Sequence, residues 1–186
     1  MTSPSNTKPV SDFITQVYIL HRTGLVTVAR IYKEQCISGD PQLIGGFLAA
    51  ILTFAGHSHN KEVERCSGDP DGVHQLTEIS TSCSKWYIAT EGEYVIALLI
   101  PNGSPLNRKT NKKLILALGI NLLNSFLLLK EFNINVEESL ADESTPYDQD
   151  FGNTVDNMVS DTLSNMKGYD ITFENKGTLQ MFDLTF

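Results

Sequence analysis

Four residues between positions 57 and 74 are the first to weigh for chemistry: His57, His59, Cys66 and His74. Imidazole nitrogen and thiolate sulfur are zinc ligands and suit a tetrahedral site. Their spacing, H-x-H followed by steps of seven and eight residues, matches no zinc motif. The stretch reads as a polar loop with incidental histidines, and no metal or cofactor is expected. Asp69-Pro-Asp-Gly72 has the start of a calcium loop but lacks the third acidic ligand and the closing bidentate glutamate. It reads as a turn. Cys83, between Ser82 and Ser84, falls between two predicted strands, where a thiol can be exposed, but no partner motif supplies a base or an orienting group. The chain contains no P-loop, no G-x-G-x-x-G, no G-x-S-x-G and no H-E-x-x-H. No catalytic residue is assigned, and an enzyme is not expected.

Two other groups can bind without catalysing. Arg108, Lys109, Lys112 and Lys113 cluster at the start of an apolar helix. Positive charge is slightly unfavourable at a helix N-terminus. The cluster reads as a solvated face or as a docking site for an acidic partner, an anionic membrane surface or this chain's own acidic segment. Trp86 and Tyr87 are adjacent and so point to opposite faces of a strand. One packs inward; the other either meets a partner, as interface aromatics do, or lies under a helix.

Charge is distributed unevenly. The chain of 186 residues has a formal net charge of −8. Residues 1–136 carry 12 Lys/Arg against 11 Asp/Glu, while residues 137–166 carry eight acids and no Lys or Arg. A near-neutral body with an acidic C-terminal region argues against nucleic-acid binding. Three cysteines, Cys36, Cys66 and Cys83, form no legible disulfide framework. The N-terminal residues lack the apolar run of a signal peptide. The longest apolar stretch, Leu114 to Leu129, contains Gly119, Asn121, Asn124 and Ser125 and falls short of the ~20 residues of a membrane span. It reads as a buried helix, and the protein as cytoplasmic with reduced thiols, with peripheral membrane contact as the one membrane role left open.

The elements that position these residues are legible in outline. Residues 1–12 are polar and expected to be disordered. A strand from about Ile14 to Leu20 is apolar on both faces, with Val17 and Ile19 on one and Ile14, Tyr18 and Leu20 on the other; such a strand is central. The turn His21-Arg-Thr-Gly24 leads to a second strand, Leu25 to Tyr32. Asp40-Pro41 then starts a helix, with Asp40 as cap and Pro41 in the first helical position. Its apolar positions, Leu43, Phe47, Ile51 and Phe54 with Ile44, Leu48 and Leu52 beside them, cover most of its circumference. One side should face the sheet and the other something else. Gly45 and Gly46 each cost about 1 kcal/mol relative to alanine in a helix interior, and close packing against a strand or a partner is a reason to accept that. Three strands follow, His74–Ser80, Lys85–Thr90 and the continuously apolar Tyr94–Ile100, the last two joined through Glu91-Gly92-Glu93. A second helix runs from Lys109 to Phe132, a linker with Pro146 over 133–150, and a third helix from Phe151 to Met166. Tyr169 to Phe186 alternates around Asn175-Lys-Gly177 and reads either as strands added to the sheet edge or as a tail that binds a partner.

The order β-β-α-β-β-β-α-α, with the first and fifth strands most buried, resembles the longin domain. Val17-Tyr-Ile-Leu-His-Arg-Thr-Gly24, Asp40-Pro-Gln-Leu43 and Phe47-Leu-Ala-Ala-Ile51 are similar to longin-type or roadblock-like proteins encoded beside small GTPases in archaea, including the Asgard lineage. The resemblance covers about residues 13–166. Roadblock domains begin with a helix that residues 1–11 look unable to form, which favours longin. It implies an α/β (α+β) three-layer sandwich: a five-stranded, mostly antiparallel sheet with strand five beside strand one, one helix on one face and two on the other. The expected division is a disordered 1–12, a core over 13–132, an acidic linker over 133–150 and a C-terminal helix and tail over 151–186. It further implies a protein-binding module of the kind found in GTPase regulation and vesicle trafficking. Its expected partners are a small GTPase or another longin or roadblock protein, in a homo- or heterodimer, with docking of the acidic segment on its own body as a further option. The expected contact residues are Gly45, Gly46, Ala49 and Trp86, together with Arg108, Lys109, Lys112 and Lys113. The alternative is a ligand-sensing or dimerising module of the profilin, PAS or roadblock type, which calls for an apolar pocket.

Overall fold

The computed structural model describes residues 7–34, 40–58, 76–137, 147–164, 170–172 and 178–181. Strand β1 (Thr7–Pro9) and a 3-10 turn (Val10–Asp12) lead into β2 (Gln16–His21) and β3 (Val26–Ile31). Helix α1 (Pro41–Ser58) is followed by β4 (Leu76–Ser80), β5 (Ser84–Glu91) and β6 (Tyr94–Pro101). Helices α2 (Lys112–Glu137) and α3 (Tyr147–Ser164) precede two short strands, β7 (Asp170–Thr172) and β8 (Thr178–Met181).

The two strands that are apolar on both faces lie side by side. β2 pairs antiparallel with β6 in the register Tyr18↔Ala97, within a sheet of order β4-β5-β6-β2-β3-β8. The five expected strands are present in the expected order, and β8 adds a sixth, antiparallel to β3. Alternation then sorts the side chains. Val17, Ile19, Tyr87, Ile96 and Leu98 face one layer with α2 and α3; Tyr18, Leu20, Trp86, Ile88, Ala97 and Leu99 face the other with α1. This is the one-plus-two helix sandwich that the longin resemblance implied.

Local chemistry explains the details. A bulge in β3 opposite Leu20 places Thr27 out of step. Its hydroxyl donates to the Ile19 carbonyl at 2.9 Å. The bulge turns Val26 and Val28 to opposite faces. Asp40 caps α1 as expected, its Oδ1 accepting from the Gln42 N–H at 2.9 Å. On α2, Ile115, Leu118, Leu122 and Phe126 are buried against the sheet. By length and composition the stretch Lys109–Glu131 is apolar enough to cross a membrane; here one face of it packs on the sheet, while Leu128 on another is 66% exposed.

Several boundaries differ from the expectation. Residues 7–12 carry structure: β1 pairs in parallel with β7, and Val10 is buried beside Phe13 and Ile14. One apolar residue in a polar stretch, closed by a strand from the far end of the chain, left little pattern to read. Ile14 faces α2 and α3 with Val17 and Ile19, because the strand starts only at Gln16 and alternation does not reach it. Helix α2 extends to Glu137 and α3 starts at Tyr147, so both ends of the expected linker 133–150 are helical, and residues 138–146 lie outside the described residues. Of the two readings of the tail, addition to the sheet edge holds for β8, while β7 joins β1 in a separate two-stranded sheet.

Candidate interaction face

Helix α1 contains no Asp, Glu, Lys or Arg in its 18 residues. Ile44 and Leu48 are buried on the sheet with Leu52 beside them. Leu43, Gly46, Phe47, Ala50 and Thr53 fall on the opposite face and are exposed. Leu43 is 74% exposed and Phe47 53%. The half of the helix expected to face something other than the sheet therefore faces solvent, with two large apolar side chains on it. α3 packs on the other side of the sheet and does not cover them.

The two adjacent glycines serve different ends. Gly45 is buried against the β2–β3 turn: an added Cβ would lie 2.6 Å from Val26 Cγ2 and closer still to the Gly24 carbonyl oxygen. Gly24 adopts φ +94°, as only glycine does readily. Gly46 faces open space, with nothing within 4 Å of an added Cβ. Of the expected contact residues on α1, Gly46 is accessible, Ala49 is half-buried beside Gly24, and Gly45 is sealed from any partner.

Trp86 is fully buried on the α1 side of the sheet, which corrects its assignment as a contact residue. It stacks on Tyr18, ring centroids 6.0 Å apart, and its indole N–H meets no acceptor among the described residues. Burial pushes the Tyr18 hydroxyl up to about 12. Tyr87 is likewise buried, on the opposite face. Both aromatics of the pair lie under helices because their strand is central to a three-layer structure.

The basic cluster sits on α2 and the turn before it, so it lies across the sheet from α1. Arg108, Lys109, Lys112 and Lys113 are all exposed. Lys112 Nζ is 2.8 Å from Glu78 Oε2, and Lys85 Nζ is 2.7 Å from Glu78 Oε1. The hydrogen bond from Lys112, then that from Lys85, holds the Glu78 carboxyl below its usual value. A depressed carboxyl stabilises the fold above its unfolded pKa and loses that contribution as pH falls through the folded value. Glu78→Gln should therefore cost at most about 1 kcal/mol at pH 7, and urea titrations at pH 3 should show the difference shrinking.

One acid of the stretch 137–166 makes its contacts away from this cluster. Asp156 on α3 accepts from Arg30 Nε at 3.0 Å and from the Tyr32 hydroxyl at 2.8 Å, and its second oxygen pairs with Arg30 Nη2. Burial and the neighbouring Asp156 charge push the Tyr32 hydroxyl well above its usual range. Sequence reasoning missed this pair, whose members are 126 positions apart. Its signal was an arginine set between Ala29 and Ile31 in an apolar strand.

Of the chemical candidates, Cys83 is half-buried in the β4–β5 turn. His59, Cys66, His74 and Asp69–Gly72 lie outside the described residues, as does the His57 side chain. Among the described residues, no three His, Cys, Asp or Glu side chains group as metal ligands. A surface cleft of about 270 Å³ is lined by Lys8, Ser11, Asp12 and Lys33 among others. It is polar where a ligand-sensing module calls for an apolar cavity between sheet and helix.

No family model matches the sequence, and no curated protein matches it. Among solved structures the fold is similar to a Roadblock/LC7 domain from Streptomyces avermitilis, at 12% identity and TM-score 0.41 over 62% of this chain and 87% of that one. Myxococcus xanthus MglB aligns at 14% identity and TM-score 0.39, over 67% of this chain and 89% of that one. The gliding protein MglB from Thermus thermophilus aligns at 15% identity and TM-score 0.35, over 56% and 72%.

Proposed function

We propose that this chain is a non-enzymatic protein-interaction module of longin-like architecture, acting in the cytoplasm as a regulator of a small GTPase or as a trafficking-type scaffold subunit. Its partner, a small GTPase or a second longin- or roadblock-type subunit, docks on the outer face of α1. The observation that carries this reading is an uncharged helix with Leu43 and Phe47 exposed side by side. Apolar side chains one helical turn apart are the i, i+4 anchors by which a helix face seats in a partner's groove. Fully burying either one is worth about 1.5–3 kcal/mol. The class of partner comes from the sequence resemblance at Val17–Gly24, Asp40–Leu43 and Phe47–Ile51.

The test is a pull-down with the small GTPases of the same genome, each in both nucleotide states, using the unmodified chain and Phe47→Asp. Phe47→Asp should lower the melting temperature by no more than about 4 °C, because more than half of the side chain is exposed, and should weaken capture at least tenfold. A preference for one nucleotide state separates a regulator from a passive scaffold. Capture that is indifferent to Phe47→Asp, or no GTPase or longin-type partner at all, overturns the proposal.

A further inference from the structure

One end of the sheet is basic. The register sets Gln16, Ile31 and Leu99 side by side, with Pro101 opposite Ser84 next to them. Arg108, Lys109 and Lys113 are exposed where the chain leaves this end and enters α2, and Lys112 and Lys85 both pair with Glu78. Lys33 follows β3, its N–H donating to the Thr15 carbonyl. With Lys8 it lines the cleft of about 270 Å³ whose other wall is Pro101, Gly103 and Pro105. Among the described residues of these strand ends and turns, the acids set against the seven cations are Asp12, Glu34 and Glu78. The whole chain, by contrast, has a net charge of −8.

Side chains pin the turn that presents the cluster. Asn107 Nδ2 donates to the Asn102 carbonyl at 3.1 Å, Asn111 Nδ2 to the Pro105 carbonyl at 3.0 Å, and the Ser104 hydroxyl to the Phe13 carbonyl at 3.1 Å. Helix α2 then starts at Lys112 with no acid in its first turn. The positive pole of the helix therefore adds to the charge of the lysines. Each cation placed there is slightly unfavourable to the helix, so stability does not account for the arrangement.

The kind of cation selects the partner. All but Arg108 are lysines. Lysine is depleted at protein–protein interfaces, where arginine is enriched. Where this chain itself holds a carboxylate closely it uses an arginine, in the Arg30–Asp156 pair. The lysines are also spread over β1, β5, α2 and the end of β3, which fits a broad anionic plane better than a single acidic chain. The chain's own acidic stretch starts at the other end of α2, 26 residues or roughly 39 Å from Lys112. We propose that this end of the sheet docks on an anionic lipid surface, with Lys33, Arg108, Lys109 and Lys113 toward the lipid headgroups. Each lysine brought to such a surface strengthens binding roughly fivefold. Glu91 and Glu93 flank the turn at the opposite end, beside the β2–β3 turn, and the bilayer repels that end. Leu43 and Phe47 lie near the β2–β3 turn, because Gln42 bonds to Val26 and Gly45 packs on Gly24. They stay open to a protein while the basic end is on lipid. The proposal goes beyond the protein-interaction reading and does not depend on it.

The test is co-sedimentation of the full chain with phosphatidylcholine vesicles, with and without about 30% phosphatidylserine, at about 0.1 M salt. Binding should require phosphatidylserine and be lost at about 0.5 M salt, where the surface field is screened. Lys109→Glu/Lys113→Glu should weaken binding at least tenfold. Arg22→Glu, a charge reversal in the β2–β3 turn at the opposite end, should change it less than twofold. All three positions are exposed, so the melting temperatures should stay within about 2 °C of the unmodified chain. The lipid and salt dependence of the unmodified chain stands whether or not a variant folds. Sedimentation that is indifferent to phosphatidylserine, or that falls equally in Arg22→Glu, overturns the proposal. So does salt-sensitive self-association, or capture by a poly-glutamate peptide, in a chain that does not sediment with phosphatidylserine vesicles; the basic end then belongs to a second copy or to an acidic protein.

Discussion

Gly45→Ala should destabilise the protein by about 3 kcal/mol, at the severe end of what an overpacked methyl group costs. Gly46→Ala, one residue on, should stabilise it by about 1 kcal/mol. The difference comes from what stands in front of each Cα. At Gly45 a methyl group would press on the Gly24 carbonyl oxygen and on Val26 Cγ2. Neither can step aside: Gly24 is fixed in its turn at φ +94°, and Val26 is tied to Gln42 by both its backbone groups. The helix itself must lift off β3, weakening those bonds and the seating of Ile44 and Leu48. At Gly46 the methyl group meets nothing, and the gain is the entropy that glycine loses in a helix. For a domain of this size the changes correspond to melting shifts of roughly −6 to −12 °C and +2 to +4 °C. Thermal melts of the two variants decide it, and shifts of the same sign would show that α1 does not approach the turn as described.

Asp156→Ala should cost about 1.5–3 kcal/mol, the usual loss for hydrogen bonds made to a charged group, here those from Arg30 and Tyr32. Side-chain exposure is only 7% for Arg30 and 18% for Asp156, so solvent cannot take the place of the lost carboxylate. The hydrogen bond from the Tyr32 hydroxyl to Asp156 is lost in the same step. Asp156→Asn, which keeps an acceptor for Tyr32 but not the charge, should fall between the wild type and Asp156→Ala. The double variant Arg30→Met/Asp156→Leu should recover most of the loss, since an apolar pair of similar size avoids the desolvation of both charges. Urea denaturation of the four proteins at pH 7 gives the three stability differences. If Asp156→Ala costs less than about 1 kcal/mol, the pair is as weak as an exposed one and α3 is held by its apolar face alone.

The parts of this fold that were legible share a physical basis in short-range pattern. β2 and β6 stood out because a strand apolar on both faces has one place to go, the middle of a layered sheet. The start of α1 was legible because Asp40 and Pro41 act on their immediate neighbours. Burial of Trp86 was not decided by pattern, since a strand residue's exposure depends on which helix lies over it. The division of labour between Gly45 and Gly46 rests on the approach of a turn some twenty residues earlier in the chain. The Arg30–Asp156 pair and the β1–β7 pair join residues more than a hundred positions apart. The interaction face was half legible. A helix apolar around most of its circumference called for a second contact, but which stripe met the sheet depended on Gly45 seating against Gly24. Leu43 and Phe47 then emerged as the outward pair.

The strand that closes β3 is supplied by residues 178–181, about 150 positions after β3 itself. During translation, at roughly 5–20 residues per second, that interval is on the order of ten to thirty seconds. For that time a nascent chain carries a β-branched, nearly uncharged strand with one side bare, Gln42 guarding only its first residue. A ribosome-bound chain is therefore exposed to edge-to-edge association until residues 178–181 have been made and have paired with β3. Synonymous codon changes that slow elongation between α3 and β8 would lengthen that interval without altering a single residue of the finished protein.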